Sequence, residues 1–405
     1  MRIWILPLLV TSALAQVSPT RNSATVPLAL DHNRVVIEAG VTLPDGSTAQ
    51  IKAWVNNGDP ELALSRRVAT LLGLKVTCGD QSCSAPPPAE ISIGGMKVPL
   101  NTVKEATIAL KPVSTAVVVF SGMAAEMNIP STVLRNYDVL IDFPGRRFTI
   151  ARPGGIAFEG VKAKVITNPV SGLIQVPSQI EKKRFNLGLD LGSSITFLDP
   201  SLFDGLTAAH PQWPHMTGGV GPANSRGSAT ELAAKLMRVE RLQFGPLFLT
   251  DVAAERLPGA VGTDKAGVLG ADALLNYRVG FDYARSVVYF DIGRLFKFPE
   301  FDVIGLIVRP EDDGKFTVLG VADYDAKPSL QTGPNGVEAG DRVIAVDGIS
   351  TDGATMGGFW LMLGGAPGQQ RRITLERAGK QFTIMATVRH FLAPTSADGE
   401  DAPQK

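Results

Sequence analysis

An aspartate set on a tight turn can exchange protons with whatever lies opposite it. This chain places one in Asp190-Leu191-Gly192-Ser193-Ser194, directly after a strand-like run that ends in Leu187-Gly188-Leu189. An earlier segment, Ile51-Lys52-Ala53-Trp54-Val55-Asn56-Asn57-Gly58-Asp59, repeats the plan of strand and turn but carries Asn56 where the carboxylate belongs. An amide can donate a hydrogen bond to a carbonyl or help to hold a water, but it can neither take up nor return a proton. Deamidation of the Asn57-Gly58 pair would place an acid one position too late. Asp59, later still, reads as ending the turn or capping the next element. The chain thus reads as two related halves, of which only one keeps the acid.

The elements that must position these turns are duplicated too. Residues 134–150, with Asn136-Tyr137 and Asp142, match residues 274–290, with Asn276-Tyr277 and Asp282, without a gap. Each copy reads as a short helix followed by two strands around a tight turn, and self-similarity of this length implies duplicated modules. Residues 35–54 give two strands around the hairpin turn Leu43-Pro44-Asp45-Gly46, and residues 171–189 give two around Glu181-Lys182-Lys183. Candidate helices follow at residues 65–72 and 200–206, and Pro153-Gly154-Gly155 links the halves.

In 405 residues, 39 basic side chains balance 39 acidic ones, which removes any electrostatic case for nucleic acid or an anionic membrane as partner. Forty-two glycines and 28 prolines favour strands and turns over a helical bundle. Arg2, the apolar residues 3–10 and Ala13-Leu14-Ala15 read as a secretory signal peptide, residues 1–15, and no later apolar run is long enough to span a bilayer. Export to an oxidising compartment makes Cys78 and Cys83 a natural local disulfide. No metal site is expected, because two thiols lack partners and His210 and His215 sit in a Pro-rich surface loop. Ser193 and Ser194 lack a histidine in a plausible accompanying motif for nucleophilic catalysis. The glycine-rich residues 217–222 lack the lysine and the context of a phosphate loop. No cofactor is expected.

The two halves together resemble the retropepsin and pepsin-like aspartic peptidases. In that family each lobe supplies a hydrophobic strand, an Asp-Thr/Ser-Gly-Ser/Ala turn and a later apolar segment ending in glycine beneath the turn. The second half matches through Asp190, Gly192 and Ser193, then Val268-Leu269-Gly270. Leu191 departs from the pattern, because the family's threonine bonds across the lobes there. The first half keeps only Gly58 and places Pro130 opposite Gly270, so the acid, the bridging hydroxyl and the supporting glycine are all expected to be missing. Two carboxylates a few ångströms apart share a proton; one activates water, the other donates to the scissile carbonyl, and the roles then exchange. With Asn56 opposite, Asp190 is expected to titrate as an ordinary hydrogen-bonded carboxylate. Flap hairpins over the cleft are expected at residues 217–222 and 91–96.

The C-terminal part resembles a PDZ domain of the bacterial envelope-protease type, through Val303-Ile304-Gly305-Leu306, Ala339-Gly340-Asp341 and Val346-Asp347-Gly348. The resemblance implies that Ile304, Gly305 and Leu306 form a carboxylate-binding loop and that peptide adds as a strand near Leu306, against a helix over residues 355–363. The expected architecture is therefore mainly β: lobe 1 over residues 16–152, lobe 2 over 156–293, a PDZ-like α+β domain over 300–391 and a disordered tail over 394–405. Two functions are open. One is a non-catalytic periplasmic protein that binds extended polypeptide in the interlobe cleft and C-terminal peptides in the PDZ-like groove. The other is an active aspartic endopeptidase that uses Asp190.

Overall fold

The computed structural model describes residues 21–80, 82–109, 122–225, 227–257, 266–293, 300–311 and 313–393. The signal segment and the C-terminal tail expected from the sequence lie outside the described residues. The chain is mainly β. Its organising sheet runs Val161–Lys164, Val287–Ile292, Tyr277–Asp282, Asp138–Asp142, Arg147–Ala151, Ser23–Asp31. In the two central antiparallel strands Asp138 pairs with Asp282 and Asp142 with Arg278. Under the gap-free match of the halves these two pairs exchange places, so a pseudo-two-fold axis crosses the Leu140–Gly280 pair.

Each half builds its turn on a hairpin with a third strand laid parallel beneath it. In the first half, Arg34–Thr42 and Thr48–Asn56 pair from Val36↔Trp54 to Thr42↔Thr48. Their turn uses Gly46 at a φ of 84°, a left-handed conformation that favours glycine. Met127–Pro130 then runs parallel to Thr48–Asn56 and sets Pro130 beside Asn56. In the second half, Ile174–Ile180 and Lys183–Leu189 form the hairpin, and Gly267–Leu269 sets Leu269 beside Leu189. Helix Arg66–Leu71 is capped by Ser65, and helix Pro200–Ala209 by Asp199 with proline in its first turn. The second helix is longer than its sequence pattern suggested, because residues 207–209 continue it although they carry little apolar signal. A disulfide joins Cys78 and Cys83.

One apolar core runs through both halves, including Val35, Ile37, Ile129, Phe148, Leu189, Leu191, Phe281 and Phe290. The C-terminal unit has its own, built from Leu306, Val308, Phe316, Phe359, Ile373 and Leu375. Its helix Met356–Leu363, capped by Thr355, lies within the range expected. A third cluster joins the units, where Val220 and Phe197 of the second half meet Phe301, Ile307, Trp360 and Phe391. Among the described residues no helix is long and apolar enough to cross a membrane.

Candidate functional site between the halves

Strand alternation selects the residues that face this site. Val36 is opposite Trp54, so Arg34 and Asn56, two residues further along each strand, share their face. Arg34, Trp54, Asn56, Gly58 and Asp59 line one side of a cleft of about 570 Å³, and Asp190, Gly192, Ser193 and Phe197 the other. Asn56 and Asp190 occupy equivalent places in their turns. Gly58 N–H donates to Asn56 Oδ1 at 3.2 Å, as Gly192 N–H donates to Asp190 Oδ1 at 2.9 Å. Each glycine lies beneath the opposite side chain: a Cβ on Gly58 would overlap the Asp190 carboxylate, and one on Gly192 the Asn56 amide oxygen. Close approach, not backbone angle, requires glycine at both positions.

The two supporting strands are also equivalent. Ser131 N–H donates to Asp59 O at 2.8 Å, and Ala271 N–H to Ser193 O at 3.0 Å. Gly270 donates its own N–H to Thr196 Oγ1 at 3.1 Å, and a Cβ there would strike the Ile195 backbone. Pro130 has no N–H to offer, and the first half stabilises its loop differently. The buried Asn128 accepts from Ala63 N–H at 2.6 Å and donates to Glu61 O at 2.8 Å.

The bridge between the turns is not lost, contrary to the expectation from Asn56-Asn57-Gly58. Asn57 Nδ2 donates to Leu189 O at 2.7 Å, and Asn57 Oδ1 accepts from Leu191 N–H at 2.8 Å. One amide supplies donor and acceptor together, so a single side chain spans the halves while Leu191 stays fully buried. Ser193 Oγ donates within its own turn, to Ile195 O, and Ser194 Oγ to Pro222 O.

Electrostatics also depart from expectation. Burial pushes the Asp190 carboxyl up to about 6; the nearby Asp59 adds to the rise, while Gly192 N–H, Ser193 N–H and Arg34 oppose it. Burial likewise raises Asp59, against the pull of the N–H of Glu61, which donates to Asp59 Oδ1 at 2.8 Å. Asp190 therefore retains a like-charged neighbour, supplied by Asp59 rather than by position 56. Arg34 is brought down to about 10 by burial, with Asp31, Glu231 and Asp190 acting to keep it charged. Its guanidinium stands 5.8 Å from the centre of the Trp54 ring and donates to Ser225 O at 3.3 Å.

The expected flaps take other roles. The exposed turn at Gly94 and Gly95 packs beside Ala24, Val26 and Arg21, none of which lines the cleft. Residues 218–225 are buried between the halves and the C-terminal unit. There the His32 ring, brought down to about 3 by burial and Arg34 and hence neutral, bonds to Gly221 O at 3.0 Å and meets Trp360 edge-on. Asn33 Nδ2 donates to Ser194 O at 3.0 Å, which ties this corner to the Asp190 turn.

The loop expected to bind a carboxylate is not open either. Ile304, Gly305 and Leu306 are all buried. Ile304 N–H donates to Leu363 O and Leu306 N–H to Ile304 O, so two of the expected carboxylate donors are engaged. Two residues on, Asn224 Nδ2 donates to Val308 O and Val308 N–H donates to Asn224 Oδ1, both at 2.9 Å. The side-chain amide of Asn224 thus occupies the strand edge where a peptide was expected.

Arg34, Trp54 and Asn128 were not singled out from the sequence, and Asn57 was considered only as a deamidation site. Arg34 carried a signal, a charged residue directly before the apolar run Val35-Val36-Ile37; the bridging role of Asn57 and the part played by Asn128 carried none without the partner strand. Among the described residues no group of three His, Cys, Asp or Glu side chains gathers to hold a metal. Compared with known proteins, the chain matches no family model and no curated protein sequence.

Proposed function

We propose that the chain is an exported polypeptide-binding protein built on the bilobal plan of the aspartic peptidases, with a PDZ-like C-terminal domain. Its interlobe cleft would hold extended polypeptide without cutting it through a paired acid. The observation that carries this reading is the facing pair of Asn56 and Asp190, each seated over the other turn's glycine. The position opposite Asp190 can donate a hydrogen bond but cannot exchange protons, so the two-acid cycle has no second member there. The pseudo-two-fold sheet and the parallel strand beside each turn support the bilobal plan. The N-terminal apolar segment supports export, with the periplasm as destination. Peptide capture at Leu306 is left out of the proposal, because Asn224 holds that edge.

One observation favours a second reading, an aspartic endopeptidase that uses Asp190. Asp59 brings a second carboxylate into the same cleft and raises Asp190. A single experiment separates the two. The mature protein, Asp190→Ala and Asp59→Asn are incubated with an unstructured peptide library from about pH 3 to about pH 8, where carboxyl pairs exchange roles. Products are read by mass spectrometry and retained peptides by pull-down. Retention without cleavage by the native protein supports the binding protein. Cleavage that disappears in both variants overturns it in favour of the peptidase.

A further inference from the structure

Four consecutive polar residues, Asp31, His32, Asn33 and Arg34, are buried in the turn that joins the strands Ser23–Asp31 and Arg34–Thr42. His32 and Asn33 are both left-handed, at φ of 55° and 64°. Two positive φ angles suit the twist of a hairpin, and asparagine adopts one readily. A histidine there is uncommon and costs backbone strain. Strain of this kind persists where partners outside the turn hold it in place.

Those partners lie on different parts of the molecule. Asp31 Oδ1 accepts from Gly357 N–H at 3.0 Å, and Asp31 Oδ2 from Ala124 N–H at 2.8 Å. Gly357 stands in the first turn of helix Met356–Leu363, where backbone N–H groups lack partners within the helix and a carboxylate is favoured. The approach is close: a Cβ on Gly357 would stand 2.2 Å from His32 N and 2.3 Å from Asp31 Oδ1. His32 meets Trp360 of the same helix edge-on at 5.3 Å. Asn33 Nδ2 reaches the other way and donates to Ser194 O, at the end of the Asp190 turn, at 3.0 Å. Adjacent residues of one strained turn thus hold the C-terminal helix and the Asp190 turn.

We propose that the Asp31–Arg34 turn is the joint through which the C-terminal unit positions the Asp190 turn, so that whatever draws helix Met356–Leu363 away loosens the cleft. The C-terminal unit then regulates the cleft, whether the cleft only binds or also cuts. A strained turn held from outside is a two-state element, and both the helix and the Asp190 turn bias it. Adhesion does not account for these contacts. Phe197, Val220, Phe301, Ile307, Trp360 and Phe391 already bury apolar surface between the units, whereas each buried polar link must first offset its own desolvation. The repeat does not require them either. In the same place in the second half, residues 168–173 are bonded by Ser131 and Arg135 of the first half instead, and residues 168–170 are exposed.

The test is amide hydrogen exchange on the full mature chain, with unfolding midpoints in parallel. Gly357→Ala drives a methyl group into the turn. Gly358→Ala, one residue on, meets only Thr355 Oγ1, at 3.3 Å, and is the control. Asn33→Gly removes the bond to Ser194 O and keeps the left-handed backbone. Gly357→Ala and Asn33→Gly are each expected to speed exchange of the Leu191, Gly192 and Ser193 amides by about tenfold, the effect of one lost hydrogen bond. Amides of the central strands Asp138–Asp142 and Tyr277–Asp282 should stay unchanged. The double variant should exchange no faster than either single one, because both act on one link. Asp31→Asn weakens the same helix contact at unchanged volume and supplies the reading where Gly357→Ala does not fold. Exchange at the Asp190 turn that the helix-side substitution or Asn33→Gly leaves unchanged would overturn the joint. So would single effects that multiply in the double variant, or an equal effect of Gly358→Ala.

Discussion

The single-residue bridge at Asn57 makes a sharp prediction about what holds the two halves in register. Asn57→Leu places at this position the residue that Leu191 already supplies in the other turn, so the substitution is sterically familiar to the fold. It removes the donor to Leu189 O and the acceptor for Leu191 N–H, formed at 2.7 and 2.8 Å between buried groups. Each orphaned backbone group costs about 1–3 kcal/mol, so the variant should lose about 2–6 kcal/mol. Against a total stability of roughly 5–15 kcal/mol that is a large fraction. Asn57→Asp, the product of deamidation, is predicted to behave differently. It keeps an acceptor for Leu191 N–H, but sets an oxygen against Leu189 O and a new charge near Asp190. Denaturant unfolding followed by fluorescence at neutral pH gives both values. The reasoning is refuted if Asn57→Leu stays within about 0.5 kcal/mol of the native protein, the range typical of inert surface changes.

Further predictions concern charge and the strand edge. The folded-state pKa of Asp190, about 6, lies above the ordinary carboxylate value, so the folded chain binds this proton more tightly than the unfolded one. The native protein should therefore lose stability as pH rises from about 4 through 6, by roughly 2–3 kcal/mol in total. Asp190→Asn should be the more stable protein above pH 6 and equal to the native one below about pH 4; parallel unfolding curves across that range would count against it. Asp59→Asn should lower the pKa of Asp190, which carbon-13 titration of its carboxyl reads directly, and an unmoved midpoint would remove Asp59 as its like-charged neighbour. Asn224→Ala should leave Val308 without its pair on that edge and increase exchange of the Val308 amide hydrogen by about tenfold or more, about the effect of one lost hydrogen bond with its group left unpaired.

The strand-and-turn frame of both halves was readable because its signals are local. Alternating apolar residues, turn glycines and the Asn-Tyr register lie within short windows, and the Pro130–Gly270 equivalence followed from counting alone. The site was only half readable. Asp190, Gly192, Gly58 and Asn56 were identifiable because a repeat exposes its own defects. Asn57 was misread as a loss, because a bridging side chain was sought as a hydroxyl, whereas an amide does the same work in one residue. Arg34 and Trp54 became visible only when strand pairing put position 36 opposite 54. The C-terminal groove was misjudged for a third reason: whether a sheet edge is open depends on what the rest of the chain lays against it. No window around Leu306 could reveal Asn224.

That amide on the edge of the C-terminal sheet bears on how the chain can be divided. An unpaired strand edge invites other strands, and folded proteins cover or blunt such edges to stay monomeric. Asn224 covers this one at Val308, while Phe301, Ile307, Trp360 and Phe391 bury their apolar surface against the second half. Cut from its neighbours, the C-terminal unit would expose both the bare edge and that greasy face, a combination that favours self-association. Chain order removes the hazard during synthesis. Asn224 and Val220 precede Val308, so the cover is made before the edge that needs it. The C-terminal segment is thus an appendage that completes the molecule, not a module free to be transplanted.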